Sequence, residues 1–355
     1  MKTVLTNGVF SLGLNTQTPE PRPDPCGLAE RLCRFLSPYL LPTAETTSCD
    51  LEVRLAPPEA FLASWKACCT QPATIRETYA EGFTLKVKQG WLDDGRLVAW
   101  DEDKQVGYLI DRNRRHVDFH GGAGAFIHLI ELVRYHGLLV EQAKGTAILH
   151  SSATLNEDTG GAIAIAGMKG AGKTTTMLER VVNGRQRYFS GDKLLLDVID
   201  GRVRARGWPD FPHIGLGTLR QFPSLIKALG DDLRSLVDSD MPDQKKILLQ
   251  PETFAGLIGR SPVGTAWLDE IVLPQVQLDE PLRTHRLTRT DIQRILSERS
   301  IFEWPHTFIT STWHGLPPAG QGLSAHLSPD LVEALCEVPW TRAQGRAQQQ
   351  ATAQA

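Results

Sequence analysis

The sequence predicts an α/β fold, and three stretches carry that prediction. Gly161-Ala162-Ile163-Ala164-Ile165-Ala166 is a short apolar run opened by glycine, the pattern of a buried strand. The octet Gly167-Met168-Lys169-Gly170-Ala171-Gly172-Lys173-Thr174 follows it directly and reads G-x-x-x-x-G-K-T. From Thr174 to Val182 the pattern becomes helical. Strand, glycine-rich loop and helix in this order form an α/β module, and a stretch with a different pattern precedes it.

That earlier stretch is expected to be an α+β part. The segment with Pro19, Pro21, Pro23 and Pro25 reads as extended or irregular. Leu28–Leu36 has apolar residues at helical spacing, and Ser37-Pro38 stops it. Over residues 50–120 the alternation of Leu51–Leu55, Phe83–Val87, Val106–Asp111 and His116–His120 predicts an antiparallel sheet, with a hairpin turn at Asp93-Asp94-Gly95-Arg96. His116 and His120 are expected to be surface histidines, because strand spacing holds them too far apart for easy chelation. Residues 125–142 read as one long amphipathic helix. The expected organisation is an N-terminal part over 1–124, a connecting helix over 125–144, the α/β module over 145–343 and a disordered Gln- and Ala-rich tail over 344–355.

Within the module, Gly145–Ala153 reads as a strand carrying His150, and the turn at Asn156–Gly161 makes it a hairpin with the next strand. Tyr188–Asp197 reads as a single further run, and Arg202–Arg206 as the strand that returns. Trp208–Gly215 is expected as a loop, Phe222 to about Leu236 as a helix, and Ala266–Leu273 as a strand. Helices are expected at Thr290–Ser297 and Ser328–Cys336, the second with Ser328 as N-cap and Pro329 at the first helical position.

Composition narrows the classes. The chain has 355 residues, 41% of them hydrophobic, and a formal net charge of -3, which predicts a folded protein without the basic field of a nucleic-acid binder. Cys26, Cys33, Cys49, Cys68, Cys69 and Cys336 make no C-x-x-C pair, so neither a zinc site nor a disulfide framework is expected. Cys68 and Cys69 read as buried or idle thiols. No signal peptide or membrane span is read from the sequence, and a cytoplasmic protein is expected; a homo-oligomer is left open.

The octet carries the chemistry. Its glycines let successive N–H groups turn toward phosphate oxygens, and the helix that follows adds the positive end of its dipole. The expected phosphate cradle is Gly167, Met168, Lys169, Gly170, Ala171, Gly172, Lys173, Thr174 and Thr175. Lys173 is expected to reach the outer phosphates of ATP, and Thr174 to hold Mg²⁺. A carboxylate must complete such a site, and three candidates compete: Asp192, Asp197 and the pair Asp269-Glu270. If Asp192 lies at the ligand end of its strand, Asp197 lies roughly 16 Å away at strand rise, so both cannot serve one metal. Lys193, Lys245, Lys246, Arg286 and Arg289 could supply a cation, but typical exposure makes them solvated surface charges. His213 reads as part of a structural loop.

Leu149-His150-Ser151-Ser152-Ala153, the glycine-loop stretch from Gly161 to Thr175, and Tyr188-Phe189-Ser190-Gly191-Asp192-Lys193-Leu194-Leu195 together resemble the catalytic core of the HPr kinase/phosphorylase family. More distantly they are similar to the nucleotide core of ATP-dependent phosphoenolpyruvate carboxykinases. Ile271–Pro274 and Val338–Trp340 also look like segments of stand-alone relatives of that kinase. The resemblance is carried by residues 145–200, is weaker over 200–343 and does not cover 1–120. It implies a P-loop kinase domain of that fold. Asp192 would be the acid near Mg²⁺ or the acceptor hydroxyl, and His150 an auxiliary group near the transferred phosphoryl. Gly191 stands where the family has the first of two successive aspartates. The family's C-terminal arginine-containing signature is not found, so phosphorolysis is not expected. The implied activity is transfer of the γ-phosphoryl of ATP to a hydroxyl on a protein, peptide or small metabolite, with the N-terminal part presenting that acceptor. Two other readings stand beside it: a nucleotide-binding regulatory or assembly protein without transfer, and a P-loop ATPase using Asp269-Glu270.

Overall fold

The computed structural model describes residues 2–15, 27–44, 48–76, 84–277, 280–304, 314, 316 and 326–345. The chain is mixed α/β and divides into two compact units, one of residues 1–145 with 304–325 and the other of 146–303 with 326–355. The proline-rich segment, Phe83 and the tail beyond residue 345 lie outside the described residues.

The first unit holds strands β1 (Lys2–Thr6), β2 (Ser11–Asn15), β3 (Leu41–Thr43), β4 (Leu51–Ala56), β5 (Gln71–Arg76), β6 (Leu85–Trp91), β7 (Leu97–Asp101), β8 (Val106–Asp111) and β9 (His116–His120), with helices α1 (Leu28–Leu36), α2 (Ala63–Cys68) and α3 (Phe126–Ala143). The strands form one sheet in the order β3-β1-β2-β4-β9-β8-β7-β6-β5. The β6–β7 hairpin turns where expected, with Trp91 opposite Leu97. The sheet is not purely antiparallel, because β4 runs parallel to both β2 and β9. Alternation has the same period in both kinds of sheet, so patterning alone could not separate them.

Helix α3 belongs to this unit rather than linking two others. Ala123–Ala143 is the one stretch among the described residues with the length and apolar composition of a membrane span, and 78% of its most apolar window is buried inside the structure. Its charges are paired inside: Glu131 receives Arg76 at 2.7 Å and Arg134 at 3.1 Å. His128 lies 2.8 Å from the Tyr108 hydroxyl and 3.0 Å from Asp101. Of the two histidines expected at the surface, His116 is half-buried against Asp118 at 2.8 Å. His120 is buried on the face opposite Val117 and Phe119, because Phe61 and Trp65 cover the sheet there and pack against its ring. No disulfide joins the described cysteines. Burial pushes the Cys69 thiol up to about 11, so it is unreactive.

The second unit holds β10 (Ala147–Asn156), β11 (Ala162–Ala166), β12 (Gln186–Ser190), β13 (Lys193–Ile199), β14 (Arg202–Gly207), β15 (His213–Gly215), β16 (Lys246–Leu248), β17 (Thr265–Val276), β18 (Arg283–Arg286), β19 (Phe302–Glu303) and β20 (Trp340–Gly345). Its helices are α4 (Lys173–Val182), α5 (Leu216–Leu219), α6 (Pro223–Ala228), α7 (Asp231–Val237), α8 (Pro251–Ile258), α9 (Arg289–Glu298) and α10 (Pro329–Glu337). Ser328 caps α10 by accepting from the Leu331 N–H, with Pro329 in the first turn. The expected run Tyr188–Asp197 is two strands, broken at Gly191-Asp192. The helix expected from Phe222 to Leu236 is α6 and α7, interrupted at Leu229-Gly230, and His213 lies on a short strand instead of in a loop. Gln344 and Gly345, expected in the tail, close β20.

Strands β10 and β17 are long enough to pair differently at their two ends. The first half of β10 pairs with β13 and β19, and its second half with β11 and β12. The first residues of β17 pair with β14, and its later ones run parallel to β11 and β20. The path β11-β10-β13-β14-β17 therefore returns to β11 and closes on itself. A core that includes Ile165, Met177, Leu178, Tyr188 and Phe254 lies under α4.

Burial holds four imidazoles of the first unit below their ordinary 6.5: His120, His128, His136 (to about 4) and His314 (to about 3). The unfolded chain takes up protons at these groups first, so their contribution is complete above pH 6.5 and is lost as pH falls toward 4. The urea midpoint of this unit is expected to drop steeply over that window, and His120→Phe to flatten part of the slope.

Candidate functional site

The glycine loop spans the turn between β11 and α4. Gly170 and Gly172 have φ of 88° and 95°, a left-handed backbone that side chains resist. Gly172 also has no room, since a Cβ there would lie 2.3 Å from Val276 Cγ2. The end of β17 fastens the loop, with the Val276 N–H donating to the Ala171 carbonyl at 3.2 Å. Lys173 folds over the loop and donates to the Gly167 carbonyl at 2.7 Å and that of Met168 at 3.2 Å. Thr175 touches the Thr218 hydroxyl at 3.0 Å. Met168 is exposed, Lys169 with it, as befits a loop tip.

Strand β10 brings His150 to this loop. Its antiparallel register pairs Ser151 with Ala166, and one step further sets His150 level with Gly167. On the other edge His150 pairs with Lys193, and the Ser151 N–H donates to the Asp192 carbonyl at 3.1 Å. The turn between β12 and β13 is pinned as well. Ser152 Oγ donates to the Gly191 carbonyl at 2.7 Å, and Ser190 Oγ to that of Lys193 at 2.6 Å. Backbone bonds thus fix Asp192 beside His150, whose Nε2 lies 3.6 Å from Asp192 Oδ1.

Two further residues complete the cluster. Glu303, on the two-residue strand β19, places Oε1 3.0 Å from His150 Nδ1 and Oε2 2.8 Å from Lys193 Nζ. Lys193 also holds Asp192 Oδ2 at 2.7 Å. Lys193 is buried, which corrects the expectation of a solvated lysine. Burial alone would lower its ammonium, but the charges of Asp192, Glu303 and Asp210 outweigh burial and hold it above its ordinary 10.5. Burial pushes the Glu303 carboxyl up, and His150 and Lys193 more than reverse this, leaving it below 4.5. Burial lowers Lys173 from its ordinary value, with Asp192 and Glu303 opposing and Lys246 and Lys193 reinforcing the shift. One electrostatic neighbourhood therefore includes Lys173, Asp192, Lys193, Lys246 and Glu303.

The competing acids lie elsewhere. Asp197 is held by Arg204 at 2.7 and 2.6 Å and by Arg206 at 3.2 Å. Asp269 accepts from the Thr159 hydroxyl at 2.6 Å, at the far end of β11 from the loop. Glu270 lies six residues before Val276, about 20 Å along the strand. The pair Asp269-Glu270 is therefore not at the loop, which removes the acid that the ATPase reading required. Arg289 is a surface charge paired with Glu333 and Glu337, and His213 Nδ1 lies 2.8 Å from the Phe211 carbonyl, a structural contact.

Thr174 and Asp192 offer hard oxygen donors only, the set Mg²⁺ takes, and Asp192 turns Oδ2 to Lys193 and Oδ1 to His150. Among the described residues no group of three or more His, Cys, Asp or Glu forms a metal cage. No family model matches the chain, and no curated protein matches it.

Removing one member of a buried ion cluster strands the others. Lys193→Ala leaves Asp192 and Glu303 without their cation, and it is expected to destabilise the second unit by about 3 kcal/mol in urea unfolding. Lys246→Ala, at an exposed position, is expected to leave the midpoint unchanged.

Proposed function

We propose that the second unit binds ATP on the glycine loop and transfers its γ-phosphoryl to a hydroxyl acceptor. The observation that carries this reading is the convergence of His150, Lys173 and Asp192 at one end of β11, with Glu303 and Lys193 holding the first and last in place. A P-loop domain of the HPr kinase type, as the sequence resemblance implies, is part of the same proposal. The antiparallel β10–β11 hairpin before the loop and the broken strand after it support that fold.

The roles follow from the contacts. The loop N–H groups and the start of α4 receive the phosphates, and Lys173 exchanges its carbonyl partners for phosphate oxygens. Thr174 and Asp192 would hold Mg²⁺, which would supply positive charge against the phosphates. Glu303 accepts from His150 Nδ1–H, which leaves the Nε2 lone pair facing the gap to Asp192. An acceptor hydroxyl beside that gap gives its proton to Nε2 while its oxygen bonds to the γ-phosphorus. The bond from that phosphorus to the β–γ bridging oxygen breaks, and its electron pair leaves with ADP. Lys193 stays charged and keeps Asp192 oriented.

Incubation with γ-labelled ATP and hydroxyl acceptors, seryl peptides and polyols among them, should give a labelled product. Lys173→Ala and Asp192→Asn should abolish it, and His150→Gln should slow it by about 10²-fold. Label released only as free phosphate, whatever acceptor is added, would reject transfer. A nucleotide-dependent change of assembly without turnover would instead favour the regulatory reading, for which Gly191 in place of an acid is the supporting feature.

A further inference from the structure

The turn between β12 and β13 has a neighbour from another stretch of chain. Strands β13 and β14 pair antiparallel, with Leu194 opposite Gly207. Carried three residues beyond that rung, the register sets Gly191 level with Asp210. The chain keeps to it, because the Trp208 N–H donates to Ser190 Oγ at 3.1 Å and ties the stretch after β14 to the residue before Gly191. A Cβ on residue 191 would lie 4.0 Å from the Cβ of Asp210. It would also lie 3.1 Å from the hydroxyl of Tyr188, whose ring belongs to the core under α4. Gly191 and Asp210 therefore meet on the side of the sheet that carries α4, the helix into which the glycine loop runs. Asp210 is half-buried, and its Oδ1 accepts the Phe211 N–H at 2.8 Å, which steadies the carboxylate. Its charge is among those that keep the buried Lys193 protonated.

We infer that Asp210 is a third carboxylate of the site, standing in for the acid that residue 191 lacks, and that with Thr174 and Asp192 it holds Mg²⁺ when the ion is bound. The inference rests on the phosphate-loop reading above and adds a protein ligand to it. Its basis is place. An acid at residue 191 would start within van der Waals reach of the atom from which the Asp210 side chain starts, so the two carboxylates would serve one volume. Two there would repel, and one is present. The other acids are engaged. Asp192 faces Lys193 with Oδ2 at 2.7 Å and His150 with Oδ1 at 3.6 Å. Glu303 has both oxygens on partners, His150 at 3.0 Å and Lys193 at 2.8 Å. Mg²⁺ at a phosphate site takes one or two carboxylates beside the phosphates, and Asp210 gives Asp192 the companion that the sequence does not show.

Calorimetric titration with ADP, once in excess Mg²⁺ and once in EDTA, reads the metal's share of binding without turnover. Asp210→Asn is expected to reduce the gain in ADP affinity that Mg²⁺ gives by about tenfold, and to leave affinity in EDTA within about twofold of wild type, which also shows an intact loop. Returning the acid to residue 191 separates a ligand from a mere support of Lys193. Gly191→Asp combined with Asp210→Ala is expected to recover most of the gain that Asp210→Ala loses. An Asp210→Asn protein with the wild-type gain overturns the inference and leaves the loop reading standing. A loss that Gly191→Asp does not repair assigns Asp210 to the support of Lys193 and overturns its role as a ligand. Wild-type protein that binds ADP equally in Mg²⁺ and EDTA overturns the metal role of Asp192 and Asp210 together, and wild-type protein that binds ADP in neither overturns the phosphate-loop reading itself.

Discussion

The candidate site depends on the way β10 divides its hydrogen bonds. One strand of ten residues pairs with β13 and β19 over its first half and with β11 and β12 over its second. His150 lies where the two halves meet. The β11 register sets it level with the glycine loop, and the β13 register sets it beside Asp192-Lys193. The His150 N–H meanwhile donates to the Ile301 carbonyl at 2.8 Å, which delivers Glu303 two residues later. Slipping β10 by one residue would turn His150 into the sheet and present Ser151, which is fully buried. A site drawn from four separate stretches of chain is thus set by backbone ladders, and its side chains need only short reach.

Charge then makes the arrangement rigid. Lys193 joins Asp192 to Glu303, and Glu303 joins Lys193 to His150, so each acidic group has one oxygen on the lysine and one toward the imidazole. In a low-dielectric interior such a loop of contacts keeps every member oriented, since moving one leaves another buried and unpaired. Asp192 is the more exposed of the two acids, which suits the role proposed for it.

How much of this could be read beforehand differs by residue. The octet, His150 and Asp192 lie within 45 residues of sequence and on consecutive elements, so local pattern was enough to collect them. Glu303 gave no such signal. Its strand is two residues long and lies far along the chain, and only the sheet order brings it to His150. Lys193 was misread because exposure averages treat lysine as a surface residue, whereas three carboxylates keep this one charged inside. In the first unit, alternation gave β4, β6, β8 and β9 but not their direction, since parallel and antiparallel ladders share one period, and it left the strands before residue 44 unread. Asp269-Glu270 had the right composition after an apolar run but the wrong end of the strand, a distinction that only the β11–β17 register makes.

The absence of an acid at residue 191 now has a physical setting. Nothing in the backbone requires glycine there, because Gly191, unlike Gly170 and Gly172, does not have a positive φ. A Cβ would meet only the Tyr188 hydroxyl at 3.1 Å and Asp210 Cβ at 4.0 Å. A side chain could therefore be accommodated with a small shift of Tyr188, and the cost of an aspartate would be electrostatic. It would add a carboxylate to a cluster in which Asp192, Glu303 and Asp210 already surround Lys193. A further carboxylate beside them would be repelled, and would have to be protonated or paired with a cation. Glycine at 191 is consistent with a site whose second carboxylate, Glu303, comes from β19.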